Sequence, residues 1–116
     1  VYKARRGNFM KQFAGLWHIY EMETWDEEYF NMAVQAFVEI NENGTGEFQF
    51  GLVQGDIDGD LTAVNDGERF EFTWDGADEM DPVSGRGWVK LIDPDTIEGY
   101  IKFHQGDDSM FYARKA

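Results

Sequence analysis

The 116-residue chain carries 23 acidic and 10 basic residues, for a formal net charge of −13, and 16% of its residues are aromatic. Between Gln12 and Ala113 only four basic residues oppose all 23 acids, so the body of the domain repels phosphate backbones and anionic lipid, and we expect no nucleic-acid or membrane binding. There is no cysteine, which excludes disulfides, thiolate metal sites and a cysteine nucleophile.

The N-terminal segment, residues 1–14, has the only helical pattern that we identify. Phe9, Met10 and Phe13 recur at helical spacing, and Asn8 precedes them as an N-cap. We therefore predict a short helical turn in this segment. The chain has neither a signal-peptide pattern nor an apolar run near the ~20 residues that span a bilayer, so we expect a cytoplasmic location.

From Leu16 onward apolar and polar residues alternate with a period of two, which is typical of strands with one buried face. Strands are predicted over residues 16–24, 34–41, 46–52, 69–74, 86–92, 97–104 and 109–114, with a short, weak strand between the turn signals at Gly55-Asp56 and Asp58-Gly59. Asn43-Gly44 and Asp66-Gly67 predict tight hairpins, and residues 75–85 are predicted to be a polar loop.

Eight short strands with hairpin-length connections predict an all-β fold. We predict that these strands form an eight-stranded antiparallel up-and-down barrel, in a single domain over residues 1–116. A two-sheet sandwich is the alternative. The inward side chains are predicted to include Trp17, Val38, Phe48, Phe50, Phe72, Trp74, Val89, Ile101 and Phe103.

The segment Gly15-Leu16-Trp17 follows the helical turn and opens the first strand. It resembles the Gly-x-Trp of the lipocalin-like (calycin) group, in which the indole closes one end of the barrel against a basic residue of the last strand. The resemblance implies a lipocalin-like barrel, and it implies that Arg114 makes a cation–π contact with Trp17.

A second resemblance covers nearly the whole chain from Phe13 on. The stretch FTWDGADEMDPVSGRGW at residues 72–88, together with HQGDDS at residues 104–109, is similar to a family of short uncharacterised bacterial proteins. This resemblance implies a bacterial source and the same barrel fold, and it implies no activity.

Two acidic stretches contain the carboxylates that a calcium site requires. Residues 56–60 read Asp-Ile-Asp-Gly-Asp, but Leu61 and Gly67 stand where a calcium loop needs its glycine and its bidentate glutamate. The acids of the 75–85 loop are also typical of turns, where carboxylates bind backbone amides. His18 and His104 lack the spacing of a compact metal motif. We therefore expect no metal and no cofactor.

Strand six poses a choice of faces. Trp88 and Arg86 lie on one side of it, while Val89 and Leu91 lie on the other. If the Val89 side faces the core, Trp88 is an outward aromatic beside Arg86, a combination common at partner surfaces. If the Trp88 side faces inward, Arg86 requires a carboxylate or an anionic ligand.

The leading interpretation is a binding protein for a small, mostly apolar ligand held in the barrel mouth. The candidate ligand-binding residues are Trp17, Phe50, Trp74, Arg86, Trp88 and His104. The alternative is a protein-interaction or scaffold module that acts through its acidic surface, with a homodimer compatible. An enzyme is unsupported, because no nucleophile elbow, phosphate loop or marked pair of carboxylates is present and no residue is predicted to be catalytic.

Overall fold

The computed structural model describes residues 10–65 and 67–116, which form a closed antiparallel barrel of eight strands. The strands are β1 (Gly15–Met22), β2 (Phe37–Ile40), β3 (Thr45–Phe50), β4 (Val53–Val64), β5 (Gly67–Asp78), β6 (Asp81–Asp93), β7 (Thr96–Phe103) and β8 (Asp108–Lys115), and a short helix α1 (Glu27–Phe30) lies between β1 and β2.

Each strand pairs with its neighbours in sequence, and β8 pairs with β1 to close the ring. Closure removes free sheet edges, which explains why short strands suffice here. This arrangement confirms the predicted up-and-down barrel, and the sandwich alternative is wrong. The turns at residues 51–52, 79–80 and 104–107 lie at one end of the barrel, which we call the hairpin end. The first described residues and the end of β8 lie at the other, which we call the terminal end.

Side chains fill the barrel interior. Eight of the nine residues predicted to point inward are buried, and Phe103 is half-buried and packs against them. The buried apolar residues are Met10, Phe13, Trp17, Ile19, Met22, Phe30, Ala36, Val38, Ile40, Phe48, Phe50, Val53, Ile57, Phe70, Phe72, Trp74, Val89, Ile97, Ile101, Phe111 and Ala113. This packing is dense because aromatic rings cross the space that a wider barrel would leave open.

Glycines on neighbouring strands make room for these rings. Phe72 stands directly opposite Gly87, and Phe111 stands directly opposite Gly99. A methyl group added to either glycine would overlap the facing ring. The same relation joins Phe48 to Gly55. The alternation of glycine and aromatic residues across the sheet therefore decides how full the interior is.

The segment between β1 and β2 differs from the prediction. Strand β2 begins at Phe37 rather than at residue 34, and Val34 is 43% exposed. The Asn31 side chain accepts a hydrogen bond from the Ala36 amide at 2.8 Å, which holds a turn where a strand was predicted. Helix α1 was not predicted, although Asp26 caps it by accepting from the Tyr29 amide at 3.0 Å. Within the described residues no helix is long and apolar enough to cross a membrane.

Two other predictions, a short fourth strand and a polar loop at residues 75–85, are wrong. Strand β4 is twelve residues long and contains the acidic stretch 56–60, while β5 and β6 form one long hairpin that turns at Glu79 and Met80. In β4 the acidic residues alternate with buried residues such as Gly55 and Ile57. Such an acidic, glycine-containing composition is typical of a loop. These residues form strands here because they pair with neighbouring strands.

Part of the predicted helical turn, residues 7–9, lies outside the described residues. At residues 10–14 the chain makes a turn in which the Met10 carbonyl accepts from the Ala14 amide at 2.8 Å. The implied partner of Trp17 is wrong by one residue. Lys115 stands directly opposite Trp17, with its Nζ 4.5 Å from the ring centroid. Arg114 points to the other face of β8, over the Tyr20 ring at 3.9 Å.

Candidate functional site

A groove of about 570 Å³ opens at the hairpin end, on the outer side of β5, β6 and β7. It is lined by Thr73, Trp74, Asp75, Ser84, Gly85, Arg86, Lys102, His104 and Gln105. Thr73 and Asp75 alternate with Trp74 along β5, and Ser84 and Arg86 alternate with Gly85 along β6. Most of the polar side chains of the groove therefore come from outward-facing positions, two on β5 and two on β6.

The groove exists because β7 ends before its partner strand does. Pairing between β6 and β7 reaches Gly85 opposite Phe103, and the His104 amide then donates to the Ser84 carbonyl at 2.7 Å. Beyond this bond β6 continues along β5 alone, while the chain turns at residues 104–107. Gln105 holds a positive φ of 59° in that turn, a conformation that is uncommon for a residue with a side chain.

A second concavity, of about 510 Å³, adjoins the groove and shares Asp75, Ser84 and His104 with it. Pro82, Val83 and Phe103 supply its apolar wall. His104 is exposed and borders both spaces. The hairpin end therefore offers a polar wall and an apolar wall on the two sides of one histidine.

Trp74 forms the inner wall of the groove. Its ring makes edge-on contacts with Phe48 and Phe103, at centroid distances of 5.0 and 5.1 Å, and only 3% of the residue is exposed. Its Nε1 is buried and has no hydrogen-bond partner among the described residues. By contrast, the Nε1 of Trp17 donates to the Phe13 carbonyl at 2.8 Å. A buried donor without an acceptor is rare and costs stability.

Gly85 lies next to this indole nitrogen. It stands directly opposite Trp74, and a Cβ added to it would lie 2.9 Å from Trp74 Nε1. Because Gly85 has no side chain, nothing of its own covers the nitrogen from that side. A side chain at position 85 would press on this nitrogen, so the indole can lie here because residue 85 is a glycine.

The groove also carries two cations side by side. Arg86 and Lys102 are directly opposite each other across β6 and β7. Lys102 Nζ donates to the Gly106 carbonyl at a long 3.4 Å, and the Arg86 guanidinium lies 5.8 Å from the Tyr100 ring centroid. No carboxylate lies within 4.0 Å of either cation in the described part of the chain. Asp75 is the acidic residue that borders the groove.

A third concavity continues along β6 and shares Thr73 and Arg86 with the groove. Trp88 lies in it, half-buried, with its ring 6.1 Å from that of Tyr100 and the Arg69 guanidinium 4.6 Å above it. Arg69 is held there by an ion pair with Glu71 at 3.0 Å. Val89 is fully buried and Trp88 points outward, so the first of the two orientations considered for β6 is the one observed.

Tyr100 anchors the neighbouring strand through its hydroxyl. The hydroxyl donates to Asp108 Oδ2 at 2.7 Å. This hydrogen bond, followed by burial and the negative charge of Asp108, raises the pKa of Tyr100 above its ordinary value of 10.0. The Asp108 carboxylate is therefore already hydrogen-bonded to Tyr100 of β7.

The structure unites three of the six candidate residues and separates the others. Trp74, Arg86 and His104 line the groove, and Trp88 lies in the continuing concavity. Phe50 is inside the barrel and contacts Phe48 and Phe103, which both contact the groove residue Trp74. Trp17 is fully buried and stands opposite Lys115 near the start of β1, so it lines neither the groove nor the continuing concavity.

Sequence reasoning missed Lys102, Gly85 and Gln105 as groove residues. Lys102 had no distinguishing signal, because only the register of β6 against β7 places it beside Arg86. Gly85 did have one, since a glycine at an inward position of a strand often marks a close approach of another group. In the described residues no group of three or more histidine and acidic side chains could hold a metal ion.

The chain matches no protein-family model, no curated protein and no solved structure.

Proposed function

We propose that this protein binds a small molecule with an aromatic, mostly apolar body in the groove at its hairpin end. The observation that carries the proposal is the buried Nε1 of Trp74, a residue that lines the groove. This nitrogen has no acceptor among the described residues. A ligand acceptor there would satisfy a donor that the fold leaves unpaired, and ligand sites commonly combine apolar walls with a few such polar groups.

The barrel interior is a poor site for the same ligand. Its volume is occupied by rings such as Phe72 and Phe111, which pack onto glycines on the facing strands. The adjoining concavity, walled by Val83 and Phe103, offers the apolar body a surface without displacing the core. The proposal therefore keeps the expected class of ligand and moves the site from the barrel mouth to the outer rim of the barrel.

The test is an NMR titration of the ¹⁵N-labelled protein with 2-naphthamide, whose carbonyl is a hydrogen-bond acceptor, read at the indole N–H peaks of the four tryptophans. We expect the Trp74 peak, assigned with Trp74→Phe, to shift on binding because its N–H gains an acceptor. The Trp17 peak should stay, since its N–H already donates to Phe13.

The two histidines provide a matched pair of variants. His104→Ala should weaken probe binding several-fold, because His104 borders both concavities. His18→Ala removes a histidine from β1 and should leave binding unchanged. A shift confined to Trp17, or no shift with any probe at millimolar concentration, would show that the groove is not the site.

We further propose that the chain belongs to the lipocalin-like (calycin) group and comes from a bacterium. Gly15-Leu16-Trp17 at the start of β1 and the cation of Lys115 over the Trp17 ring support the first part. The similarity of residues 72–88 and 104–109 to short bacterial proteins supports the second. An alignment of homologues that lacked this Gly-x-Trp would argue against the membership.

The alternative, an interaction module, is favoured by one row of carboxylates on the outer face. Glu39, Glu47, Asp56 and Asp75 stand directly opposite one another on β2, β3, β4 and β5. Like charges placed so closely are unfavourable unless a basic partner covers them. A lysine-rich peptide should then bind at low salt and lose affinity as salt is added. Light scattering would test the homodimer, which requires a mass twice that of the 13.4 kDa chain.

A further inference from the structure

We propose that the groove selects ligands that carry an oxyanion, a carboxylate or a phosphate, and that Arg86, Lys102 and the indole N–H of Trp74 donate to it. The inference rests on the proposed function and adds the charge of the ligand, which neither the fold nor the apolar concavity specifies. Trp74, Arg86 and Lys102 lie on three different strands, and all three line the groove.

The first argument is the placement of the two cations. Arg86 and Lys102 form a directly opposed pair across β6 and β7. Cβ atoms in such pairs are about 4.5–5.5 Å apart, and like charges there are destabilising. An anion between the two side chains would turn this repulsion into two attractive, charge-assisted hydrogen bonds.

The second argument is that a strongly acidic chain leaves these cations without carboxylate partners. Between Gln12 and Ala113 the chain has 23 acidic and four basic residues, and two of the four stand in this groove. Within residues 10–65 and 67–116, neither Arg86 nor Lys102 has a carboxylate within 4.0 Å. Asp108, which faces Lys102 in the register of β8, accepts from the Tyr100 hydroxyl instead.

The third argument is the chemistry of the donors. A guanidinium, an ammonium and an indole N–H can only donate hydrogen bonds, so a ligand that satisfies all three must supply several acceptor lone pairs. Carboxylate and phosphate oxygens do this, and the planar guanidinium of Arg86 can bind two of them at once. The N–H of Trp74 is buried and has no partner among the described residues, so it gains the most from an added acceptor.

The test compares 2-naphthoate with 2-naphthamide by calorimetric titration of the full chain. The two probes share the ring system and differ in charge. We expect naphthoate to bind at least about tenfold more tightly, the effect of about one charge-assisted hydrogen bond. The preference should shrink as salt is raised, because the cations are partly exposed. A third probe, 2-naphthyl phosphate, separates the oxyanion classes, since tighter binding than naphthoate identifies a phosphate ligand.

Two variants and a matched control locate the preference. Arg86→Gln and Lys102→Gln should each reduce naphthoate affinity about tenfold and leave naphthamide affinity nearly unchanged. Lys90→Gln removes a lysine from the outer face of β6 outside the groove lining and should preserve the preference. Thermal melts of all three variants establish that they remain folded.

The outcomes separate this inference from the proposed function. Equal affinity for naphthoate and naphthamide, with a shifted Trp74 indole peak, would overturn the oxyanion and leave the groove as a site for neutral ligands. A preference that survives in both Arg86→Gln and Lys102→Gln would also overturn it. Failure of all three probes to bind at millimolar concentration would overturn both proposals.

Discussion

Lys115 Nζ lies 4.5 Å from the centroid of the Trp17 ring and donates a hydrogen bond to the Ala14 carbonyl at 2.9 Å. The last strand is thereby fastened to the entry of the first at the terminal end of the barrel. Trp17 is fully buried, and its own N–H donates to the Phe13 carbonyl. One aromatic ring therefore links the N-terminal turn, β1 and β8.

Replacing Lys115 by methionine should lower the free energy of unfolding by about 1 kcal/mol, because the cation–π contact and the hydrogen bond to Ala14 are both lost. Lys115→Arg keeps a cation above the ring and should recover most of this loss. Urea denaturation measures both changes. Arg114→Met is the control, since Arg114 lies over Tyr20. Arg114→Met should not move the Trp17 indole N–H peak. A shift of that peak would contradict the assignment of Lys115 as the cation over Trp17.

Two buried tryptophans should respond differently to replacement by phenylalanine. Trp17→Phe removes a hydrogen-bonded N–H and the cation–π contact with Lys115. Trp74→Phe removes an N–H that has no partner among the described residues. Both lose ring volume in the core, so we expect Trp17→Phe to cost about 1–2 kcal/mol more than Trp74→Phe in urea unfolding. Equal losses would mean that the Trp74 N–H is satisfied in solution.

Gly99→Ala should destabilise the barrel by about 2–3 kcal/mol, because the added methyl group overlaps the ring of Phe111 on the facing strand. Phe111→Leu removes the obstructing ring, so the double variant should be no less stable than Phe111→Leu alone. The measurement is a double-mutant cycle by chemical denaturation.

Gly85→Ala is the contrasting case. A methyl group there would meet the Lys102 carbonyl oxygen as well as the Trp74 indole, and a backbone atom cannot be removed by a second substitution. Truncating Trp74 should therefore fail to rescue it. Rescue would indicate that the strands separate there more easily than the structure implies.

The Tyr100–Asp108 pair should be visible in an alkaline titration. The hydrogen bond to Asp108 is the largest cause of the raised pKa of Tyr100, so Asp108→Asn should bring that pKa down toward 10.0. A raised pKa in the folded state means that the contribution to stability is complete below pH 10, and it is lost as pH rises through the folded value. Tyrosinate absorbance at 295 nm, compared with Tyr100→Phe, identifies the residue.

Tyr112 supplies the control for this titration. Its pKa is raised first by burial and only then by Glu98, to which its hydroxyl donates at 3.4 Å rather than 2.7 Å. Glu98→Gln should consequently move the pKa of Tyr112 less than Asp108→Asn moves that of Tyr100. The opposite order would assign the main effect to burial in both residues.

The barrel was predictable because alternation and turn signals are local properties of a chain. Val38, Phe48 and Ile101 alternate with polar neighbours, and this pattern alone places them inside. The errors arose where local signals compete. Residues 75–85 carry the composition of a loop, yet pairing with β4 and with each other makes them a hairpin. The register between strands is a long-range property, so it could not be predicted from alternation.

The candidate site was likewise predictable only in part. Trp74, Arg86 and His104 were identifiable as chemistry-bearing residues, but their meeting in one groove depends on where β7 ends relative to β6. Lys102 entered the site only through its position opposite Arg86.

The sequence by itself determined the class of fold, the acidity of the body and which side chains of a predicted strand share a face, since these depend on composition and on local alternation. Only the tertiary structure decided that Lys115 rather than Arg114 covers Trp17, because adjacent residues of β8 point to opposite faces and the pairing with β1 selects one of them. Only the tertiary structure decided that the N–H of Trp74, a groove-lining residue, has no partner among the described residues. Hydrogen-bond satisfaction is a property of the whole packed molecule, so no local pattern could have revealed it.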